Sequence, residues 1–126
     1  MIHNLDLSLF YDESFVEFNV KDTELNLSQK SITIVTRGAW LDREEHNVLR
    51  EAKIFIQQWD ALSVCVMNKD TNSFSAVNMP EEYILRDIIK FHYEHPILRL
   101  TGFGINGEWV QWEFINPQVK IHGDIE

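Results

Sequence analysis

The segment spanning residues 97–115 constrains the fold more than any other, because it contains a β-hairpin signal. The dipeptide Asn106-Gly107 lies between two runs in which apolar and polar residues alternate. A dipeptide of this kind is the strongest short-range signal for a hairpin with a two-residue type I′ turn. We therefore predict that two antiparallel strands are joined at these two residues.

A two-residue loop also predicts the register of the two strands, with Gly104 facing Trp109 and Arg99 facing Phe114. The predicted core face then consists of Ile105, Phe103, Val110, Trp112 and Phe114. The predicted outer face consists of Gly102, Gly104, Trp109, Gln111 and Glu113. An indole that covers a cross-strand glycine stabilises a weak strand, so Trp109 is either a cover for Gly104 or an aromatic anchor for a partner.

Most of the remaining chain also predicts strands. Alternating or β-branched runs occur at about 4–10, 15–20, 31–36, 74–77 and 119–122, and a polar turn is predicted at 21–24. Runs of this kind joined by turns indicate a mainly β fold, in which an antiparallel meander forms a sandwich or an open barrel. The length of 126 residues predicts one globular domain over 1–126.

The segment from 42 to 59 supports two interpretations. Asp42 and Glu45 resemble a helix N-cap with its capping partner, and apolar residues follow on one helical face, so an α+β fold with a helix at 42–58 is one alternative. The same segment also alternates as a strand does. Because the neighbouring segments are β, we favour a loop at 42–47 and a hairpin with strands at about 49–58 and 61–67.

The segment near 80–90 has the features of a helix start. Pro80 precedes two acidic residues, Glu81 and Glu82, and apolar residues recur beyond them at helical spacing. One short helix near 80–90 is therefore predicted. The alternation at 89–93 indicates instead that the segment ends as a strand.

Composition limits the classes of partner. The chain has 20 acidic and 11 basic residues and a net charge of −9, which argues against nucleic acid and anionic membranes and favours a basic protein. The alternative is that the acidic residues serve only to keep the protein soluble. A single cysteine, no signal peptide and no membrane-spanning run lead us to expect a cytoplasmic protein. Acidic residues are concentrated in 1–30 and 91–126, so they would form one patch if the two ends of the chain meet.

The sequence predicts no catalytic residue, metal site or cofactor. His92 and His95 have the spacing of metal ligands but no further ligand beside them. Cys65 lies in an apolar run and is interpreted as a small hydrophobic residue. The paired carboxylates lie in polar turns, where solvated charge is the expected role.

The predicted binding residues lie on the second strand of the hairpin. Trp109 is the tryptophan that the register directs towards solvent, and Glu108, Gln111 and Glu113 lie beside it. An aromatic anchor surrounded by acidic residues is suited to a basic protein partner. We therefore predict that these four residues form the partner-binding site.

Residues 100–104 and 107–117, which read Leu-Thr-Gly-Phe-Gly and Gly-Glu-Trp-Val-Gln-Trp-Glu-Phe-Ile-Asn-Pro, resemble the C-terminal part of small β-rich bacterial toxin-immunity proteins. The resemblance assigns no functional residue. It implies a cytosolic, non-enzymatic inhibitor that blocks a cognate toxin, and the acidity suits a basic toxin such as a nuclease. Two other functions are weighed beside it: a small-ligand-binding barrel or sandwich, and a structural module whose acidity serves solubility alone.

Overall fold

The computed structural model describes residues 2–4, 17–40 and 48–125. These residues form eleven β-strands and one turn of 3-10 helix at Pro80–Glu82. In chain order the strands are β1 (Ile2–Asn4), β2 (Glu17–Asn26), β3 (Ser31–Trp40), β4 (Val48–Gln57), β5 (Ala61–Asn68), β6 (Ser73–Ala76), β7 (Asp87–Ile88), β8 (Lys90–Glu94), β9 (Ile97–Phe103), β10 (Trp109–Ile115) and β11 (Gln118–Ile125).

The strands form two antiparallel sheets that pack face to face. One sheet has six strands in the order β1-β11-β4-β3-β2-β7, and the other has five in the order β6-β5-β10-β9-β8. The prediction of a mainly β sandwich is confirmed, and the sheets do not close into a barrel. The strands β2, β3 and β4 form one meander, and β8, β9 and β10 form another.

The core lies between the two inner faces. Along β10 every second residue is buried, and the same alternation occurs in β4, as expected for strands with one face in the core. The largest fully buried side chains are Trp112, Phe18, Phe91, Phe114, Ile54, Ile56, Ile88, Leu98, Leu100 and Ile121. Thr36 is also buried, and its hydroxyl donates to the Ala52 carbonyl at 3.1 Å.

The strands predicted at 49–58 and 61–67 are confirmed as β4 and β5, but the predicted hairpin between them is wrong. These two strands belong to different sheets, so the chain crosses from one layer to the other at 58–60. The burial of Trp59 accounts for this crossing: its side chain is only 4% exposed and packs edge-on against Phe114, with ring centroids 5.1 Å apart. The tip of a hairpin would have left that indole in solvent, which a corner between sheets avoids.

The alternative of an α-helix at 42–58 is wrong where it can be compared, because residues 48–57 are a strand that pairs with both β3 and β11. The cap residues of that helix, Asp42 and Glu45, lie outside the described residues together with the loop at 42–47. Pairing on both sides stabilises the strand more than helix propensity would, since propensity is only a weak preference.

The short helix predicted near 80–90 is also wrong beyond its first turn. Only Pro80–Glu82 is helical, and the chain then passes along the open side of the sandwich. There Leu85 pairs with Gly104, Ile88 of β7 pairs with Phe18 of β2, and β8 joins β9. The backbone groups of this segment thus bond to both sheets, and the strand predicted at 89–93 is confirmed as β8. No helix in the described part of the chain is long and apolar enough to cross a membrane.

At the N-terminal side the strands are longer than predicted. The turn expected at 21–24 is wrong, because β2 runs through it with an irregular register around Lys21. The strand expected at 31–36 is confirmed and continues through Gly38 in β3. Of the strand predicted at 4–10, only Asn4 is described, as the end of β1, and 5–16 lie outside the described residues. β1 pairs with β11, so the two ends of the described chain lie side by side.

Candidate functional site

The loop of the β9–β10 hairpin has three residues, 105–107, and not two. The Gly107 amide donates to the Gly104 carbonyl at 2.9 Å, and the Gly104 amide donates to the Glu108 carbonyl at 2.7 Å. A type I′ turn would require positive φ at both Asn106 and Gly107, but only Gly107 has it, at +85°. Three-residue hairpin loops with a left-handed glycine in the last position are the next most common kind.

The longer loop shifts the strand register by one residue, so that Trp109 faces Phe103 and Glu113 faces Arg99. Such a shift turns every side chain of one strand to the other face of the sheet. Val110, Trp112 and Phe114 are buried as predicted. The predicted core positions on the other strand are wrong: Phe103 and Ile105 are 38% and 58% exposed, and the core instead contains Leu98, Leu100 and Gly102.

Trp109 does not cover Gly104. Its ring packs edge-on against Phe103, with centroids 5.0 Å apart, and the side chain remains partly exposed. The space beside Gly104 is occupied by the carboxylate of Glu108. The interpretation of the indole as a cover for a cross-strand glycine is therefore wrong, whereas its outward direction agrees with the prediction.

Three of the four predicted binding residues share the outer face of the five-stranded sheet: Trp109, Gln111 and Glu113. The fourth, Glu108, does not share that face: it has the strand parity of the buried Val110 and lies beside Gly104 at the hairpin end, where its Oε1 accepts the Asn106 backbone amide at 3.3 Å. Glu113 is not a free carboxylate, because its Oε2 accepts from both Nε and Nη2 of Arg99, at 3.1 and 2.8 Å. Arg99 is 41% exposed in its side chain, so this ion pair contributes only about 0.2–1 kcal/mol.

An apolar row crosses one end of this outer face. It consists of Phe74, Met67, Trp109 and Phe103, which lie on β6, β5, β10 and β9 respectively. Phe74 pairs with Met67, Trp109 pairs with Phe103, and the register of β5 with β10 brings Met67 opposite Trp109. Four neighbouring strands span about 14 Å at the usual strand spacing. Phe74 and Phe103 are 47% and 38% exposed and the two residues between them are partly exposed, so each member of the row reaches solvent.

Acidic side chains lie at the hairpin end of the sandwich, on the side of the five-stranded sheet that faces away from the apolar row: Glu108 lies beside Gly104, and Glu81 lines a depression with Leu25 of β2. Glu81 and Glu82 are exposed on the 3-10 turn, just before Ile84. The Ile84 carbonyl accepts the amide of Ile105 at 3.1 Å, which fixes the turn beside the hairpin loop. With Glu108 these two carboxylates form what we term the acidic rim.

Comparison of the chain with protein-family models, curated proteins and solved structures gives no match. What can be said of function therefore rests on the outer face itself.

A groove of about 280 Å³ lies on the outer face between the apolar row and β8. Thr101 and Gln111, which face each other across β9 and β10, lie at its centre. The remaining lining residues are Phe74, Lys90, Phe91, His92, Arg99 and Trp109. Sequence reasoning missed Thr101 and Arg99, because the two-residue turn directed them at core residues on β10. The sequence did contain one signal against the predicted register: it placed the charged Arg99 opposite Phe114 in the core, which would be energetically costly.

The remaining candidate residues do not assemble a chemical centre. His92 and His95 line a second depression of about 250 Å³, and His92 Nε2 lies 3.8 Å from a carboxylate oxygen of Glu94. Within the described ranges no group of three or more His, Cys, Asp and Glu residues could hold a metal ion. Cys65 is a free thiol that is only partly buried, with its sulfur 3.9 Å from the Ser63 hydroxyl oxygen.

Proposed function

We propose that this protein is a non-enzymatic, intracellular binding protein that neutralises a basic protein partner, as an immunity protein neutralises its cognate toxin. The partner would dock on the outer face of the five-stranded sheet, with the apolar row at the centre of the contact. The observation that carries the proposal is the exposure of that row, which polar side chains in the middle of the face separate from the smaller apolar pair Ile97 and Ile115.

The row has the composition of an interface centre. Aromatic residues and Met are enriched at the centres of protein interfaces, and Trp contributes disproportionately to binding energy. Trp109 is held in place by its contact with Phe103, so little conformational freedom would be lost on binding. An exposed cluster of this size marks an interaction site more often than an isolated apolar residue does.

Charge supports a basic partner. The net charge of −9 would attract a basic protein over a distance of about 10 Å or more, set by the screening length. The acidic rim adds to this long-range attraction from the hairpin end of the sandwich, whereas on the outer face Arg99 and Glu113 neutralise each other. The steering groups and the anchoring groups are thus separate, and this separation gives two distinct kinetic predictions.

The first prediction concerns the anchor. Replacing Phe74 or Trp109 by Ala should weaken binding about 30-fold each, because a central hot-spot residue contributes about 2 kcal/mol. Most of the loss should appear as faster dissociation, measured by surface plasmon resonance with the polypeptide encoded beside this chain as the partner. In cells the Phe74→Ala, Trp109→Ala double variant should no longer protect a host that expresses that polypeptide.

Phe55→Ala is the matched control. Phe55 is a partly buried aromatic residue on the outer face of the other sheet, and it packs edge-on against His122 with centroids 5.1 Å apart. This variant should protect the host as the natural sequence does. A neighbouring polypeptide that is harmless when expressed alone would refute the immunity function. Loss of protection with Phe55→Ala alone would instead place the docking face on the six-stranded sheet.

The second prediction concerns the acidic rim. Reversing the charge of Glu82 and Glu108 to Lys should slow association severalfold at low salt and leave dissociation nearly unchanged, because exposed charges act mainly on the encounter rate. The effect should vanish as salt is raised, which stopped-flow measurement of the intrinsic tryptophan fluorescence would follow. An equal loss at high salt would contradict a steering role.

A further inference from the structure

The groove in the outer face combines polar and aromatic side chains, which the proposed docking of a protein does not require. We infer that it binds a small molecule that carries one flat ring and one anionic group, either a carboxylate or a phosphate. The inference does not depend on the proposed partner, because it concerns the isolated chain and a different class of ligand, although the two sites share Phe74 and Trp109.

The first supporting observation is the hydroxyl of Thr101. Thr101 is only 6% exposed, it lines the groove, and no described residue hydrogen-bonds its hydroxyl. No fully sealed side-chain polar atom in the described chain lacks a partner, so this hydroxyl is open to the groove. A hydroxyl that is open to the groove and has no protein partner is available to donate to, or accept from, a molecule that enters the groove.

Two more polar side chains flank Thr101. Gln111 faces it from β10 and Lys90 faces it from β8, and both line the groove. Among the residues that the structure describes, neither the amide of Gln111 nor the ammonium of Lys90 has a partner. The three side chains therefore stand in a row across adjacent strands, about 5 Å apart from one strand to the next. Convergent polar groups in a concave surface are characteristic of a ligand site.

The charge of the groove selects an anion. Lys90 and Arg99 stand on its wall and His92 lies beside them, although the whole protein is strongly acidic. Arg99 uses Nε and Nη2 for Glu113, which leaves the N–H groups of Nη1 without a described partner. A carboxylate or phosphate could accept from Lys90, from the hydroxyl of Thr101 and from Arg99 together.

The opposite wall selects a flat ring. Phe74 and Trp109 line the groove on the side of the apolar row, and their faces and edges can pack against an aromatic ligand. The volume of about 280 Å³ lies at the lower limit for ligand pockets, which begin near 300 Å³. One ring with one anionic substituent fits a space of this size.

The test is a titration of the isolated chain followed by ¹H–¹⁵N NMR. The probes are phenylacetate and phenyl phosphate, with 2-phenylethanol as the neutral ring and acetate and inorganic phosphate as the ringless anions. At about 10 mM probe, a site with a Kd near 1 mM would be almost saturated. Saturable shifts confined to Lys90, Thr101, Trp109 and Gln111 are expected for at least one ring-bearing anion. All three controls should bind at least about tenfold more weakly, and the stronger of the two probes identifies the anionic group.

Variants then test the contacts. Lys90→Met and the nearly isosteric Thr101→Val should each weaken binding about tenfold, whereas Glu113→Gln should strengthen it by releasing Arg99. Lys120→Met is the matched control, since Lys120 is exposed on the other sheet. Dispersed NMR spectra would establish that each variant is folded, and Gln111→Leu replaces Thr101→Val if that variant is not. Absent shifts, shifts spread over the whole surface, or equal binding by 2-phenylethanol would overturn the inference.

Discussion

Replacing Trp112 by Ala should lower the free energy of unfolding by about 3–5 kcal/mol, the usual cost of removing a fully buried large aromatic side chain. Trp112 is 1% exposed and stacks on Phe114 with ring centroids 6.1 Å apart. Its indole Nε1–H donates to the Tyr83 carbonyl at 3.0 Å, so the ring also ties the segment after the 3-10 turn to the sheet. The substitution would leave both a cavity and an unpaired carbonyl.

Urea unfolding followed by circular dichroism measures this loss. Trp112→Phe separates its two parts, because it keeps most of the ring but removes the donor, and it should cost less than Trp112→Ala. Trp109→Ala is the matched control: it lies on the same strand but on the partly exposed face, so its cost should be well below that of Trp112→Ala. Equal unfolding midpoints for the two alanine variants would contradict the assigned register of β10.

The second large effect is expected at Gly102. A Cβ atom at this position would overlap the carbonyl oxygen of Asp87 and lie 3.1 Å from the Cα atom of Ile88. Both neighbours are backbone atoms of β7, which pairs with β2 through Phe18 and Ile88, and these two residues are fully buried. Gly102→Ala must therefore displace β7 from the core. We expect a cost of about 3 kcal/mol, as for other substitutions that overpack a core.

Two glycines of the same hairpin serve as controls. Gly107→Ala adds no contact, but it forces alanine into positive φ and should cost about 1 kcal/mol. Gly104→Ala meets mainly the flexible side chain of Glu108, which can move aside. Thermal unfolding should therefore rank Gly102→Ala as the most destabilising of the three. If it were no worse than Gly107→Ala, the close approach of β7 to β9 would be disproved.

The strand β10 shows what alternation can predict. Val110, Trp112 and Phe114 are apolar and separated by two, and nothing in the fold competes with their burial. The same reasoning failed for β9, because an Asn-Gly pair is compatible with loops of two or three residues. Loops of both lengths place a glycine in the left-handed conformation, so the local sequence does not distinguish a two-residue loop from a three-residue loop. The outward direction of Trp109, Gln111 and Glu113 on β10 was therefore predicted, whereas that of Thr101 and Arg99 on β9 was not.

The sequence by itself determined the β class of the fold, the inner face of β10 and the overall acidity. These follow from side-chain period and charge, which are local or additive properties. Tertiary structure decided the loop length of the hairpin, the point at which the chain crosses between the sheets at Trp59, and the strands with which residues 85–91 pair. Each of these depends on where a buried side chain or a free backbone group finds a partner distant in sequence. The groove around Thr101 belongs to this second class, because its polar side chains come from three strands and meet only when β8, β9 and β10 are in register.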